Sequence, residues 1–200
     1  MGVKNKIAEV IAGNNREFTA QCYQRNTAPP LGSLVKTRLG ENGKIFGVVY
    51  LVETHGLEPG RRVFVRGGKL ENEEEIYREN PQLEKLLVTD FNVLVLGYSE
   101  EGHIHHFLPP QPPPVHSFVY VCDENEMVDF TSSLNCLGLL ADSQISVPVD
   151  EVIAAFLRNV SKCHKDPHDF LVKAGKELVW VYGSDIRRLN SLLKRLSYAG

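Results

Sequence analysis

Residues 29–53, PPLGSLVKTRLGENGKIFGVVYLVE, decide how this chain folds. Two apolar, β-branched runs, Leu34 to Leu39 and Ile45 to Val52, flank Gly40-Glu41-Asn42-Gly43, whose residues readily supply positive φ, so the stretch predicts a β-hairpin. Pro29 and Pro30 fix the approach, and Gly32 lets the chain bend into the first strand. Along the second strand Phe46, Val48, Tyr50 and Val52 share one face, and Ile45, Val49 and Leu51 share the other. A strand apolar on both sides belongs in a closed or covered β-structure, not on a half-solvated sheet.

Working outward, Ile7 to Ile11 and Glu17 to Tyr23 flank a Gly13-Asn14-Asn15 turn and predict an N-terminal hairpin with Phe18, Ala20 and Cys22 on one face. After the central hairpin, Pro59-Gly60 reads as a turn, Arg61 to Arg66 as a strand, and Gly67-Gly68 as its end. The Glu-rich stretch from Leu70 to Leu87, divided by Pro81, predicts two short surface helices. Val88 to Tyr98 is apolar on both sides through Val93, Leu94, Val95 and Leu96, as a central strand would be, and His103 to Leu108 returns beside it. Prolines 109, 110, 112, 113 and 114 make an extended crossing, and Phe118 to Cys122 forms another strand.

From about Val147 the apolar period becomes helical. Asp150 is the expected cap of a helix bearing Val152, Ile153, Phe156, Leu157 and Val160, and Asp166-Pro167 opens a second that Gly183 ends. Ser184 or Asp185 opens a third, striped with Ile186, Leu189, Leu192, Leu193 and Leu196. The expectation is an α+β protein: a small closed antiparallel β-barrel over residues 1–131, with a helical insertion near 72–87, then a C-terminal module of about three helices over 147–200. So short a module cannot bury Phe156, Phe170, Trp180, Leu192 and Leu193 by itself, and should pack on the barrel or on another subunit.

Two hundred residues suffice for a core without covalent staples. A net charge of −3 argues against a generally basic nucleic-acid coat. Cys22, Cys122, Cys136 and Cys163 are scattered without a C-x-x-C pair and read as reduced, mostly buried thiols. No run resembles a signal peptide or a membrane span, so a cytoplasmic protein with no membrane partner is expected.

The order of β-elements resembles the HAS-barrel family, the small N-terminal barrel of HerA-type DNA translocases and, more distantly, of rotary ATP synthase subunits. The likeness rests on Ile7 to Gln21, on Pro29-Pro30-Leu31-Gly32 leading into LVKTRLGENGKIFGVVYLVE, and on FNVLVLGYSEEGHIHHFLPPQPPPVHSF, Phe91 to Phe118. It implies a barrel used for assembly, often in rings, or for docking a partner. The ATPase that follows the barrel in HerA-type enzymes needs G-x-x-x-x-G-K-[ST] to cradle phosphates. Each Gly-Lys pair here fails that pattern: Gly43-Lys44 has Arg38 at the first glycine position, Gly68-Lys69 has Val63, and Gly175-Lys176 has Phe170. No nucleotide, no other cofactor and no transferable catalytic residue is therefore expected.

Several constellations have a bland reading beside a functional one. Arg62, Phe64 and Arg66, with Lys69 beyond, would place an aromatic between guanidinium groups on one strand face, fit to stack a base and hold phosphates, although strand arginines often merely cover such a ring. Arg187, Arg188, Lys194 and Arg195 lie opposite the leucine stripe of the last helix, as a partner-binding face or as a solvated one. His103, His105 and His116 are candidate metal ligands lacking a further ligand at fixed spacing. Cys163-His164 has the residue types of a nucleophile and base, but neighbours on a helix end point apart. The function expected first is a non-enzymatic assembly or adaptor module that docks a protein partner or self-associates. A nucleic-acid-associated factor serving a translocase or nuclease in trans is the second expectation, and a small hydrolase or metal-dependent enzyme the third.

Overall fold

The structure, a computed structural model, describes residues 6–58, 63–183 and 185–197. Strands β1 (Ala8–Gly13) and β2 (Glu17–Cys22) form the first hairpin, and β3 (Leu34–Leu39) and β4 (Gly43–Gly56) the second. Helices α1 (Glu73–Glu79) and α2 (Leu83–Leu86) follow, then β5 (Leu87–Glu100), β6 (His103–His105) and β7 (Phe118–Val121). The neighbour order β2-β1-β7-β3-β4-β5, with β2 also bonded to β5, closes six antiparallel strands into a barrel, while β6 adds to the far end of β5. The chain is therefore α+β with a closed barrel, as its two doubly apolar strands require.

Those two strands divide the apolar residues between two cores. Val35, Ile45, Val49, Phe91, Val93 and Val95 fill the barrel with Ala8, Val10, Phe18, Ala20 and Val119. Leu34, Phe46, Val48, Tyr50, Leu94 and Leu96 face outward and are covered by helices α3 (Glu124–Phe130), α4 (Cys136–Ala141), α5 (Val149–Ser161), α6 (Pro167–Tyr182) and α7 (Ile186–Ser197). Most large side chains of the helices, Phe130, Ile153, Phe156, Leu157, Leu178 and Leu192 among them, are buried in this second core. Removing so many apolar side chains from water, at roughly 1.5–3 kcal/mol each, is what fastens the helices to the barrel wall.

Some expectations need correcting. Leu51 joins Tyr50 on the helix-covered side and Val52 is exposed, because the ladder with β5 shifts register between Val49 and Leu51, and a bulge reverses the alternation. The strand expected over Arg61 to Arg66 does not form in its described part: Val63 to Gly67 have no regular structure. β4 instead runs on to Gly56 paired with β5, and a β-prone run without a ladder partner does not become a strand. The Pro59-Gly60 turn, Arg61 and Arg62 lie outside the described residues. The return strand beside β5 is only His103–His105.

The C-terminal module has the three expected helices, α5, α6 and α7, and α3 and α4 ahead of it complete the helical layer. Helix α3 carries a capping box, with Asp123 accepting from the Glu126 amide and the Glu126 side chain accepting from the Asp123 amide, a D-x-x-E signal legible in the sequence. Pro148, not Asp150, occupies the cap position of α5. Asp166, Pro167 and Gly183 bound α6 as predicted, and Asp185 accepts from the Arg188 amide at the start of α7. Ser184 lies outside the described residues. No helix among the described residues is long and apolar enough to cross a membrane.

Candidate interaction surfaces

Beyond Glu53 the β4–β5 pair continues as a two-stranded ribbon, Thr54 to Gly56 against Leu87 to Thr89, with α1, α2 and the Val63 to Leu70 segment at its end. Thr54 and Thr89 are hydrogen-bonded across it at 2.9 Å. This flap is tied to the barrel by the Arg25 guanidinium, 3.9 Å above the Tyr77 ring. Asn72 caps α1 through the Glu75 amide, and Arg66 donates to Asn80 Oδ1 at 2.9 Å, so one predicted site residue braces the flap internally. Phe64 is 70% exposed, Val63 and Val65 beside it are exposed too, and Lys69 is solvated. Val63 to Gly67 line an apolar groove of about 340 Å³ together with Ile76, Tyr77, Leu83 and Leu87. The predicted aromatic between two arginines on a strand face is not present in the described part, since no strand runs there.

The basic residues of α7 separate into two kinds. Arg188 donates to both Asp150 carboxylate oxygens at 3.0 Å, while Tyr182 donates to the same carboxylate at 2.7 Å. Burial alone would raise the Asp150 pKa, but the bonds from Arg188 and Tyr182 outweigh it and hold the carboxyl below its ordinary value. Arg195 donates to Glu151 at 2.7 Å, and Arg158 of α5 donates to the Arg195 carbonyl at 2.9 Å. Arg188 and Arg195 thus bind α7 to α5, whereas Arg187 and Lys194 face solvent. Trp180 was expected to pack on the barrel or a subunit; it is 83% exposed on α6, with Val172 and Val179 on the same face and Ile186 exposed just past the Gly183 turn.

The candidate ligands and nucleophiles do not converge. His103 is exposed at the head of β6, His105 lies against Tyr98 and Phe107, and His116 is hydrogen-bonded to Glu9, whose carboxyl this bond holds below its usual range. Among the described residues no group of three or more His, Cys, Asp or Glu is placed to hold a metal ion. Cys163 Sγ points to Met127 Sδ at 3.6 Å, and its thiol is raised by burial. The adjacent His164 stacks on Phe170 and meets the Thr131 hydroxyl at 2.9 Å. Thr131 already donates to the Met127 carbonyl, so His164 Nε2 donates to Thr131, and burial keeps the ring below its ordinary pKa. The two side chains line a polar cleft of about 880 Å³ with Asp129, Asp169 and Lys173, yet they have different partners, and no nucleophile–base bond forms between them.

One surface had no sequence signal, because it is assembled from four strands. On the outer wall the ladders place Glu9 opposite Phe118 and Arg38 opposite Lys44, and the Lys36–Tyr120 pairing sets Arg38 beside Phe118. Lys6 sits 4.1 Å over the Phe118 ring and 5.0 Å from that of Tyr23. Behind this row Lys36, almost fully buried, pairs with Glu126, which also accepts from Lys44 at 3.2 Å.

No protein-family model matches the sequence, and no curated protein is detectably similar to it.

Proposed function

We propose that this chain is a non-enzymatic assembly or adaptor protein, a HAS-like barrel that presents surfaces for docking a protein. The observation that carries it is the placement of exposed large apolar side chains. Val63, Phe64 and Val65 gather on the flap, and Val172, Val179, Trp180 and Ile186 on the outer face of α6 and the start of α7. Scattered surface apolar residues need no explanation, but contiguous ones around an aromatic mark interaction sites. The rest of the molecule supports the same role: barrel and helices share a continuous core, so the Trp180 surface is carried on a packed framework.

The test is a photo-crosslinking amino acid introduced at position 64, at 180, and at the exposed control position 111 in cells that naturally express the chain. Discrete protein adducts at 64 and 180 but not at 111 are expected. Equal labelling at all three, or none, removes the docking function.

The row Lys6, Phe118, Arg38 and Lys44 favours a second function, association with single-stranded nucleic acid, because aromatic faces flanked by cations stack bases and hold phosphates. A salt-sensitive shift of a single-stranded oligonucleotide, abolished by Arg38→Glu with Lys44→Glu, would support it; an unshifted oligonucleotide at low salt would remove it.

A further inference from the structure

We infer that Tyr23 and Phe118 form an aromatic cage for a methylated lysine side chain of a partner protein, and that Lys6 of this chain fills the cage until such a side chain displaces it. The site is separate from the flap and from the Trp180 face. It goes beyond the docking function proposed above by adding a third surface and the chemistry that surface reads.

Barrel closure builds the cage. β1 runs between β2 and β7, and Ile7 is tied to both sides: its amide donates to the Val119 carbonyl at 3.0 Å, and its carbonyl accepts from the Tyr23 amide at 3.2 Å. Tyr23, just past the end of β2, is thereby brought beside Phe118 at the start of β7, with ring centroids 6.5 Å apart and planes at 68°. Two rings set nearly edge to face leave a corner, and the Lys6 ammonium occupies it, 4.1 Å from the Phe118 centroid and 5.0 Å from that of Tyr23. A cation this close to a ring is attracted by its negative π face. Glu9 fixes the Tyr23 wall: the phenol donates to one carboxylate oxygen at 3.1 Å, and His116 is bonded to the other.

Lys6 behaves as a stopper and not as a structural bond. Phe118 is 43% and Tyr23 45% exposed, Lys6 is exposed as well, and among the described residues its ammonium has no hydrogen bond or ion pair. At so open a site the cation–π contact is weak, so a competing cation can replace it. The cage offers an incoming head two π faces, while both oxygens of Glu9 already accept from Tyr23 and His116. A primary ammonium is strongly hydrated and gives up water to lie on those faces without gaining an acceptor. A trimethylammonium has no N–H to satisfy and presents methyl groups to the rings, so the site selects the methylated head. The occupant seen in the corner is a lysine side chain, which points to a lysine of a polypeptide as the source.

Charge requires exchange, not addition. The Lys36–Tyr120 pairing sets Arg38 beside Phe118 from β3, so with Lys6 in place two cations stand near the ring against the single carboxylate of Glu9. A further cation is accommodated once Lys6 has left.

The experiment is an NMR titration of the full chain with a short peptide carrying one Nε-trimethyllysine. Shifts should centre on Lys6, Glu9, Tyr23 and Phe118. The same peptide with unmodified lysine, or with a neutral analogue in which carbon replaces the quaternary nitrogen, should bind at least about fivefold more weakly. Lys6→Ala, which removes the stopper, should strengthen binding about threefold. Phe118→Leu, which keeps an apolar side chain but removes the π face, should weaken it about tenfold. Equal affinity for the neutral analogue, or no gain in Lys6→Ala, overturns the inference whatever Phe118→Leu does to folding. Choline should perturb the same residues more weakly than the peptide. Phosphatidylcholine vesicles that bind where the peptide does not would give the site to a membrane, and a single-stranded oligonucleotide that shifts Phe118 where the peptide does not would give it to nucleic acid; either result overturns the inference. None of these outcomes involves positions 64 and 180, where the docking function is tested separately.

Discussion

Gly32 offers the sharpest test of how the two layers meet. It lies just before β3 at φ +78°, its amide bonded to the Val49 carbonyl at 2.8 Å, with the backbone of α5 directly against it. A Cβ built there would stand 2.4 Å from the Phe156 nitrogen, 2.5 Å from the Ala155 carbonyl carbon and 2.6 Å from the Ala155 Cβ. Two of these are main-chain atoms of a buried helix, so no side chain can swing away. Gly32→Ala therefore combines a left-handed backbone cost of about 1 kcal/mol with overpacking of about 1–3 kcal/mol. Gly40, at φ +56° with nothing within 4 Å of a built Cβ, provides the control, since Gly40→Ala meets only the backbone cost. For a chain of this size each kcal/mol lowers Tm by roughly 2–4 °C. Urea denaturation and thermal melts of the two variants should thus differ, Gly40→Ala losing about 2–4 °C and Gly32→Ala about 4–16 °C. Equal losses would refute the claim that α5 rests on the backbone at Gly32.

Asp150→Asn should destabilise by about 1–2 kcal/mol at neutral pH, because it removes the carboxylate that Arg188 and Tyr182 share. The depressed Asp150 pKa contributes stability that is present above the ordinary aspartate value near 4 and is lost as pH falls through the lower folded value; a wild-type acid-denaturation curve no steeper than that of Asp150→Asn would contradict this. His106, bonded to the Phe130 carbonyl, and His164 are both held below their ordinary pKa, chiefly by burial. Their neutral forms fit the fold, so melts should show stability declining as pH drops below about 6.5, where the unfolded rings take up protons first, and His106→Gln should flatten the decline. Burial pushes the Cys122 and Cys136 thiols to about 12, so a thiol reagent at neutral pH should label Cys163 first and reach those two only on unfolding; rapid labelling of either in the native state would count against the helical packing.

What the sequence made legible was whatever period and punctuation encode. β4 and β5 announced themselves by being apolar on both sides, and that property demanded both a barrel interior and an outer cover. The caps at Asp166, Pro167 and Gly183 are local chemistry and were placed correctly. Long-range competition was harder to read. Arg61 to Arg66 has the composition of a strand, yet β4 had already found its partner in β5, and in the described part Val63 to Arg66 are left without a ladder. Asp150 reads as a cap by its type, but a carboxylate in the first turn of α5 faces α7, and Arg188 claims it. The row from Glu9 through Phe118 and Arg38 to Lys44 has no linear signature, because closure of the barrel creates it.

The same distinction bears on where partners bind. The helices cover the outer wall over β3, β4 and β5, where the outward Leu34, Phe46, Val48 and Leu96 are buried. The exposed apolar residues therefore cannot be leftovers of imperfect packing between the layers. Among them, Trp180 sits on the far side of the cover and Phe64 past its reach. Trp180 stays in water although most large apolar side chains of the helices are buried, and the docking proposal rests on that contrast.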